Sequence, residues 1–316
     1  MFYRVRKYLS HRKFYSEIVG LLNTPPLVQR EAPLAIVSMV QETDVRMYIL
    51  AIKALYRRMG GGHIVVIPDA DVSQSSRDLI RGHLGDVEFV TPESIPTGSC
   101  QRGGTWERVL YCVDRSAQEY VIQIDADVLC FGEIPEVIDC VRTNRAFTIA
   151  EGLAVKPLPE WVEDGIARKS DHIVTTFELK AREFPNASRY QYVRGSSGFA
   201  GFAKGKITRA FLEEFHAGGV QVHGSRWTEW GTEQIASNFT AANSSGVEPL
   251  PYPKYATFEP DYATYQRQGI PQEHSVLHFI GSHRFELGTF VKLANREIEA
   301  LKQQAVPAGI SAKGAH

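Results

Sequence analysis

At 316 residues, with 43% hydrophobic and 22% charged residues, the chain is long enough to bury a large α/β core. A formal net charge of −1 removes any global electrostatic case for nucleic acid or a membrane as partner. The four cysteines, Cys100, Cys112, Cys130 and Cys140, form no CxxC or zinc pattern and read as reduced thiols of a cytosolic protein.

Residues 1–30 mix Arg4, Arg6, Lys7, Arg12 and Lys13 with Phe2, Tyr3, Val5, Tyr8, Leu9 and Phe14. This composition predicts a basic helical segment, either an ordinary solvated first helix or an amphipathic one lying on an anionic membrane surface. No apolar run reaches the ~20 residues of a membrane span. From Pro33 to about Gly152, strand and helix patterns alternate. Leu34–Val40 is an apolar strand, and DVRMYILAIKALYRRMG is a helix ended by Gly60-Gly61-Gly62. His63–Ile67 is the next strand, SSRDLIRGHLG a helix, and Val87–Val90 a third strand. Trp106, Val109, Leu110 and Val113 mark one face of another helix. Strands at Tyr120–Ile124 and Ala146–Ala150 follow. The order predicts an α/β fold, a mostly parallel central sheet flanked by helices, with its site at the carboxyl ends of the strands.

Residues 156–195, rich in Pro, Trp, charged and aromatic side chains, read as an insertion that helps cover the site. After it come a strand, GFAGFAK, the helices TRAFLEEFHAGG and WGTEQIASNF, and a late strand, SVLHFI. We expect one domain over residues 31–300 and a flexible tail over 301–316.

The chemical signal is VIQIDADVLCFGEI, in which a buried strand ends in Asp125-Ala126-Asp127. Two carboxylates crowded among apolar residues repel each other unless a cation neutralises them, and a hard divalent ion suits them. A second motif, Asp69-Ala70-Asp71, follows a strand already broken by Pro68 and precedes a Ser-rich helix start. Asp71, Ser73 and Ser75 are better explained there as helix caps. A strand followed by DxDVL also opens haloacid-dehalogenase-type phosphatases, with Asp125 as nucleophile. The aspartates after Asp127 form no acidic cluster of the kind those enzymes need to hold magnesium.

Taken together, DADVL, SSGFAGF, WGTEQIASN and HFIGSHR resemble the ordered motifs of GT-A glycosyltransferases, most closely family 8, which includes glycogenins and bacterial lipopolysaccharide galactosyltransferases. The resemblance spans about residues 34–284 and implies the GT-A, Rossmann-like nucleotide-diphospho-sugar transferase fold. It implies a metal-dependent, retaining transfer from a nucleotide sugar, a UDP-sugar first, to a glycan, lipid-linked or small-molecule acceptor. By this resemblance Asp125, Asp127 and His278 hold Mn²⁺ or Mg²⁺. Ala126, Ser197, Gly198, Gly281, Arg284 and Arg108 contact the donor, and Glu233 and Gln234 lie at the reacting carbon with Arg108. Ser196-Ser197-Gly198 stands where the family has Asn-Ala-Gly, and Arg284 where it has Lys. The acidic nucleotide-binding residue has no clear counterpart; Ser38 and Val40 occupy its position, with Gln41, Glu42 and Asp44 nearby. If the enzyme were instead inverting, Glu233 would be its base. The implied setting is polysaccharide biosynthesis in the cytoplasm, with the first helix as a peripheral membrane contact.

Overall fold

The computed structural model describes residues 2–244, 246–259 and 273–303. Its centre is a seven-stranded sheet of β1 (Leu34–Val40), β2 (His63–Pro68), β3 (Val87–Phe89), β4 (Tyr120–Ile124), β6 (Phe147–Ile149), β9 (Ser196–Phe202) and β10 (Glu248–Leu250). The spatial order is β10-β6-β9-β4-β1-β2-β3, and all pairs are parallel except those made by β9 with β4 and β6. Continuous apolar runs such as LAIVSMV form β1 because helices cover both of its faces. Ala35 and Val37 join one core, and Leu34, Ile36 and Val40 the other.

On the first face pack α2 (Val45–Met59), α3 (Gln74–Leu84) and α10 (Thr289–Gln303). Gly60 ends α2 in the left-handed conformation, φ 78°, which the absence of a side chain permits. On the second face pack α4 (Trp106–Ser116), α7 (Ile173–Leu179), α8 (Arg209–His223) and α9 (Thr232–Asn243). The insertion, which also carries α6 (Val162–Arg168), buries Trp161, Phe177, Phe184 and Tyr192 in that second core. A smaller sheet sets β12 (Val276–His278) between β11 (Tyr255–Thr257), parallel to it, and β5 (Val128–Cys130), antiparallel to it. The late strand SVLHFI therefore belongs to this sheet and not to the central one.

Helix α1 (Phe2–Glu17) forms where the sequence predicts a helix, and its C-terminal end packs on the domain. Phe14, Ile18 and Leu21 are buried in the first core, and Phe14 meets Phe285 and Phe290 at ring separations of 5.2 and 4.6 Å. The side chains of residues 1–8, on which the basic amphipathic face depends, lie outside the described residues, as do residues 304–316 of the expected tail. From 301 to 303 that tail is helical, part of α10. Among the described residues no helix is long and apolar enough to cross a membrane. All four cysteines are buried free thiols.

One buried cation has a consequence for stability. Lys53 of α2 is 1% exposed; its Nζ donates to Thr24 Oγ1 at 2.8 Å and the Pro25 carbonyl at 2.7 Å, and lies 3.1 Å from His83 Nδ1. Burial pushes its ammonium down to about 8. The unfolded chain, with an ordinary lysine near ~10.4, then binds more protons between those two values. Stability contributed at this site therefore rises as pH goes from about 8 towards 10. The urea midpoint should climb from pH 7.5 to 9.5, and Lys53→Met should flatten that rise.

Candidate active site

Strand register assembles the site. Ile124 at the end of β4 is opposite Phe199, and the Asp125 amide then donates to the Gly198 carbonyl at 2.8 Å. After the two-carboxylate turn, β5 runs antiparallel to β12, with Val128 opposite His278, and the Phe279 amide donates to the Asp127 carbonyl at 2.9 Å. These two ladders place His278 Nε2 3.3 Å from Asp127 Oδ1 and 3.6 Å from Asp125 Oδ2. His278 Nδ1 is engaged by the Ser196 hydroxyl at 2.7 Å, and Ser196 Oγ also accepts from the Gly198 amide at 3.1 Å. Ser196 thus fixes the imidazole so that its other nitrogen faces the carboxylates. Gly198 permits the approach: a Cβ there would lie 2.3 Å from the His278 ring. It contributes this clearance and is not among the residues lining the cleft.

The donor set fits a divalent ion. One ligand atom from each of Asp125, Asp127 and His278 lies within 4.8 Å of the others. Two ligands about 2.1 Å from a common ion stand at most ~4.2 Å apart, so a small contraction closes the set. Two carboxylates and an imidazole suit manganese or magnesium, with coordination positions left for phosphate oxygens.

Cations flank the triad. Arg284 donates to Asp127 and, at 3.4 Å, to Asp44. Burial opposes the charge on Asp127, yet Arg284 and His278 outweigh it and hold the carboxyl below its ordinary range. Burial likewise disfavours protonated His278, but the Asp127 and Asp125 carboxylates overcome this and raise its value. Arg108, 3% exposed in α4, bridges Asp125 and Glu233, the latter at 3.4 Å. Glu233, at the start of α9, also accepts from Gln123 Nε2 at 3.2 Å; burial, set against the pull of Arg108, raises its carboxyl. Gln234 Nε2 donates to the Gly195 carbonyl at 2.8 Å. Among the described residues no lysine pairs with Asp125, as a phosphatase nucleophile would require; its partners there are Arg108 and His278.

These groups line one cleft of about 1010 Å³ at the carboxyl ends of the strands, large enough for a nucleotide sugar with room beside it. Asp125, Ala126, Asp127, Arg108, Ser197, Glu233, Gln234, His278, Gly281 and Arg284 all border it. Gly281 adopts φ 41°, in the left-handed region. Ser38 is not brought there. It is fully buried on the face of β1 that meets Tyr48 of α2, while Met39, Gln41 and Asp44 reach the cleft instead. In the second DxD, Asp71 accepts from the Glu42 amide at 3.1 Å and Ser73 caps α3 by accepting from the Ser76 amide. Ser75 caps nothing, and Asp69, set aside with the motif, borders the cleft. The sequence reading also missed Ser196, whose place within SSGF next to a strand-borne histidine was the available signal.

A sheet in which β9 reverses direction beside a strand ending in DxD, with the cleft at the strand ends, is the GT-A architecture of glycosyltransferases. The galactosyltransferase LgtC, crystallised with donor and acceptor sugar analogues, is similar over 87% of this chain and 98% of its own, with TM-score 0.50 and 14% identity. The bifunctional glycosyltransferase WbbM matches 86% of this chain with TM-score 0.52 and 15% identity. Glycosyltransferase GlyE of Streptococcus pneumoniae matches 88% with TM-score 0.52 and 13% identity. The chain spans 51% of the length of WbbM and 63% of GlyE. No family model and no curated protein matches the sequence.

Proposed function

We propose that this chain is a metal-dependent glycosyltransferase that moves a sugar from a nucleoside-diphosphate donor, a UDP-sugar first, to the hydroxyl of a glycan or lipid-linked acceptor, with retained anomeric configuration. The observation that carries this reading is the convergence of Asp125, Asp127 and His278 in the cleft at the strand ends. A bound manganese or magnesium ion would neutralise the charge that develops on the leaving diphosphate. Arg284 would donate its forked guanidinium to a phosphate oxygen, and the backbone at Gly281 would let the diphosphate come close. Arg108 fixes the Asp125 carboxylate and keeps Glu233 occupied. Gln234, anchored through its amide nitrogen, turns its carbonyl oxygen to the sugar. Met39, Gln41 and Asp69 stand where a nucleoside would reach the ends of β1 and β2.

Glu233 decides the stereochemistry in this reading. Its charge is spent on Arg108 and Gln123, which supports a positioning role and leaves the departing phosphate to take the acceptor proton. The setting we propose is assembly of a polysaccharide or lipid-linked glycan inside the cell, with the basic first segment at the membrane surface. Two measurements on the full chain test the function. Calorimetry should give UDP binding with Mn²⁺ that EDTA abolishes; equal affinity in EDTA would refute the metal role. NMR should give an α-linked product from an α-linked donor, and Glu233→Gln should keep measurable turnover. A β-linked product with an inactive Glu233→Gln would make Glu233 a base.

A further inference from the structure

The part of the cleft that the metal triad leaves unused is bordered by Arg168, Arg194 and Trp230. Trp230 is 72% exposed, whereas Trp106, Trp161 and Trp227 are completely buried. A tryptophan held open at a cleft offers a rigid apolar face, suited to the C–H face of a sugar ring. Arg168 closes α6 and Arg194 precedes β9, yet both donate to the same oxygen of Glu178, at 3.3 and 2.9 Å. Glu178, on α7, has no exposed surface. One carboxylate facing two guanidinium groups leaves one positive charge uncompensated. Each arginine spends a single amino group on Glu178 and makes no other hydrogen bond to a described residue. Their side chains are 25% and 26% exposed, so the remaining donors are open to the cleft.

The wall is continuous. Gln234 donates to the carbonyl of Gly195, the neighbour of Arg194, and Gly231 packs against His172 and Ile173 at the start of the helix that carries Glu178. The carboxylates on the other rim, Glu151 and Glu259, sit at the β11 side, where Glu151 accepts from the Thr257 amide at 3.0 Å. The cleft is therefore divided in charge, with surplus positive charge beside the aromatic platform.

Resting on the glycosyltransferase reading above, we infer that the acceptor is an acidic glycan, stacked on Trp230 with its carboxylate or phosphate held by Arg168 and Arg194. Two neighbouring guanidinium forks, each with donors left over beyond Glu178, suit a multi-oxygen anion better than a neutral hydroxyl.

The test uses the full chain, with tryptophan fluorescence and calorimetry as readouts. The probes are trigalacturonate against its methyl ester, and glucose 6-phosphate against glucose, which separate carboxylate from phosphate recognition. At least one acidic probe should bind about tenfold or more tightly than its neutral partner. Arg168→Gln leaves the Arg194–Glu178 pair intact and removes the surplus charge, so the preference should fall towards unity, while Arg168→Lys should retain most of it. Trp230→Ala, an exposed position, should weaken acidic and neutral probes alike and leave their ratio. Equal binding of acidic and neutral probes by the native chain would overturn the inference. So would a preference that survives in a folded Arg168→Gln variant. UDP affinity with Mn²⁺ is followed in parallel: its absence beside an intact acidic preference would sink the glycosyltransferase reading and leave the anion site standing.

Discussion

Asp127→Asn should lower sugar transfer by about 10³-fold or more and abolish Mn²⁺-dependent UDP binding. The estimate follows from the several kcal/mol that a metal contributes to leaving-group charge stabilisation. Asp127 is the member of the triad that everything else faces: it is 5% exposed, lies 3.3 Å from His278, and accepts from Arg284. Asparagine keeps the shape but leaves Arg284 and His278 with one carboxylate fewer, so the fold should survive with a lower melting temperature. Asp71→Ala is the control. Asp71 is exposed and among the described residues holds only the Glu42 amide, so its removal should leave transfer within about twofold. A folded Asp127→Asn variant with native kinetics, or a dead Asp71→Ala variant of native stability, would place the metal elsewhere.

Gly198→Ala should be nearly as damaging, by a different route. The added carbon would lie 2.3, 2.6 and 2.7 Å from three atoms of the His278 ring. The strand cannot yield easily, because β9 is paired on both sides and the Gly198 carbonyl accepts from Asp125. The ring must move, giving up its bond to Ser196 and its line to the carboxylates. Overpacking of this kind costs about 1–3 kcal/mol of stability, and metal-dependent UDP affinity should be lost with it. Differential scanning calorimetry and titration on the same sample check both halves. Native UDP affinity in this variant would mean that His278 is not a ligand.

Much of the site was legible because it lies at punctuation marks of the chain. A buried run ending in two carboxylates, and a histidine on an apolar strand followed by Gly-Ser-His-Arg, carry their own contradiction in apolar surroundings. Ser38 failed for a reason of parity. It shares a face with Ile36, which meets α2, so only residues at and beyond the end of β1 reach the cleft. Asp69 was missed because capping explained its motif, and only the pairing of β1 with β2 brings it beside Gln41. The first helix was read from its charges, whereas Phe14, Ile18 and Leu21, three and four residues apart, already spell a core-facing stripe. Arg168, Arg194 and Glu178 sit in a stretch with no periodicity, and nothing short of the folded chain joins them.

The ladder between β5 and β12 joins residues about 150 positions apart in the chain. A ribosome adding ~5–20 residues per second therefore releases the aspartates roughly eight to thirty seconds before the histidine that completes the proposed set. Until then Asp125 and Asp127 have Arg108 for company but neither His278 nor Arg284. The nascent protein consequently passes through a period in which the two aspartates of the proposed metal site are synthesised but its histidine is not. In the proposed function, metal binding becomes possible only once His278 and Arg284 have followed the two aspartates.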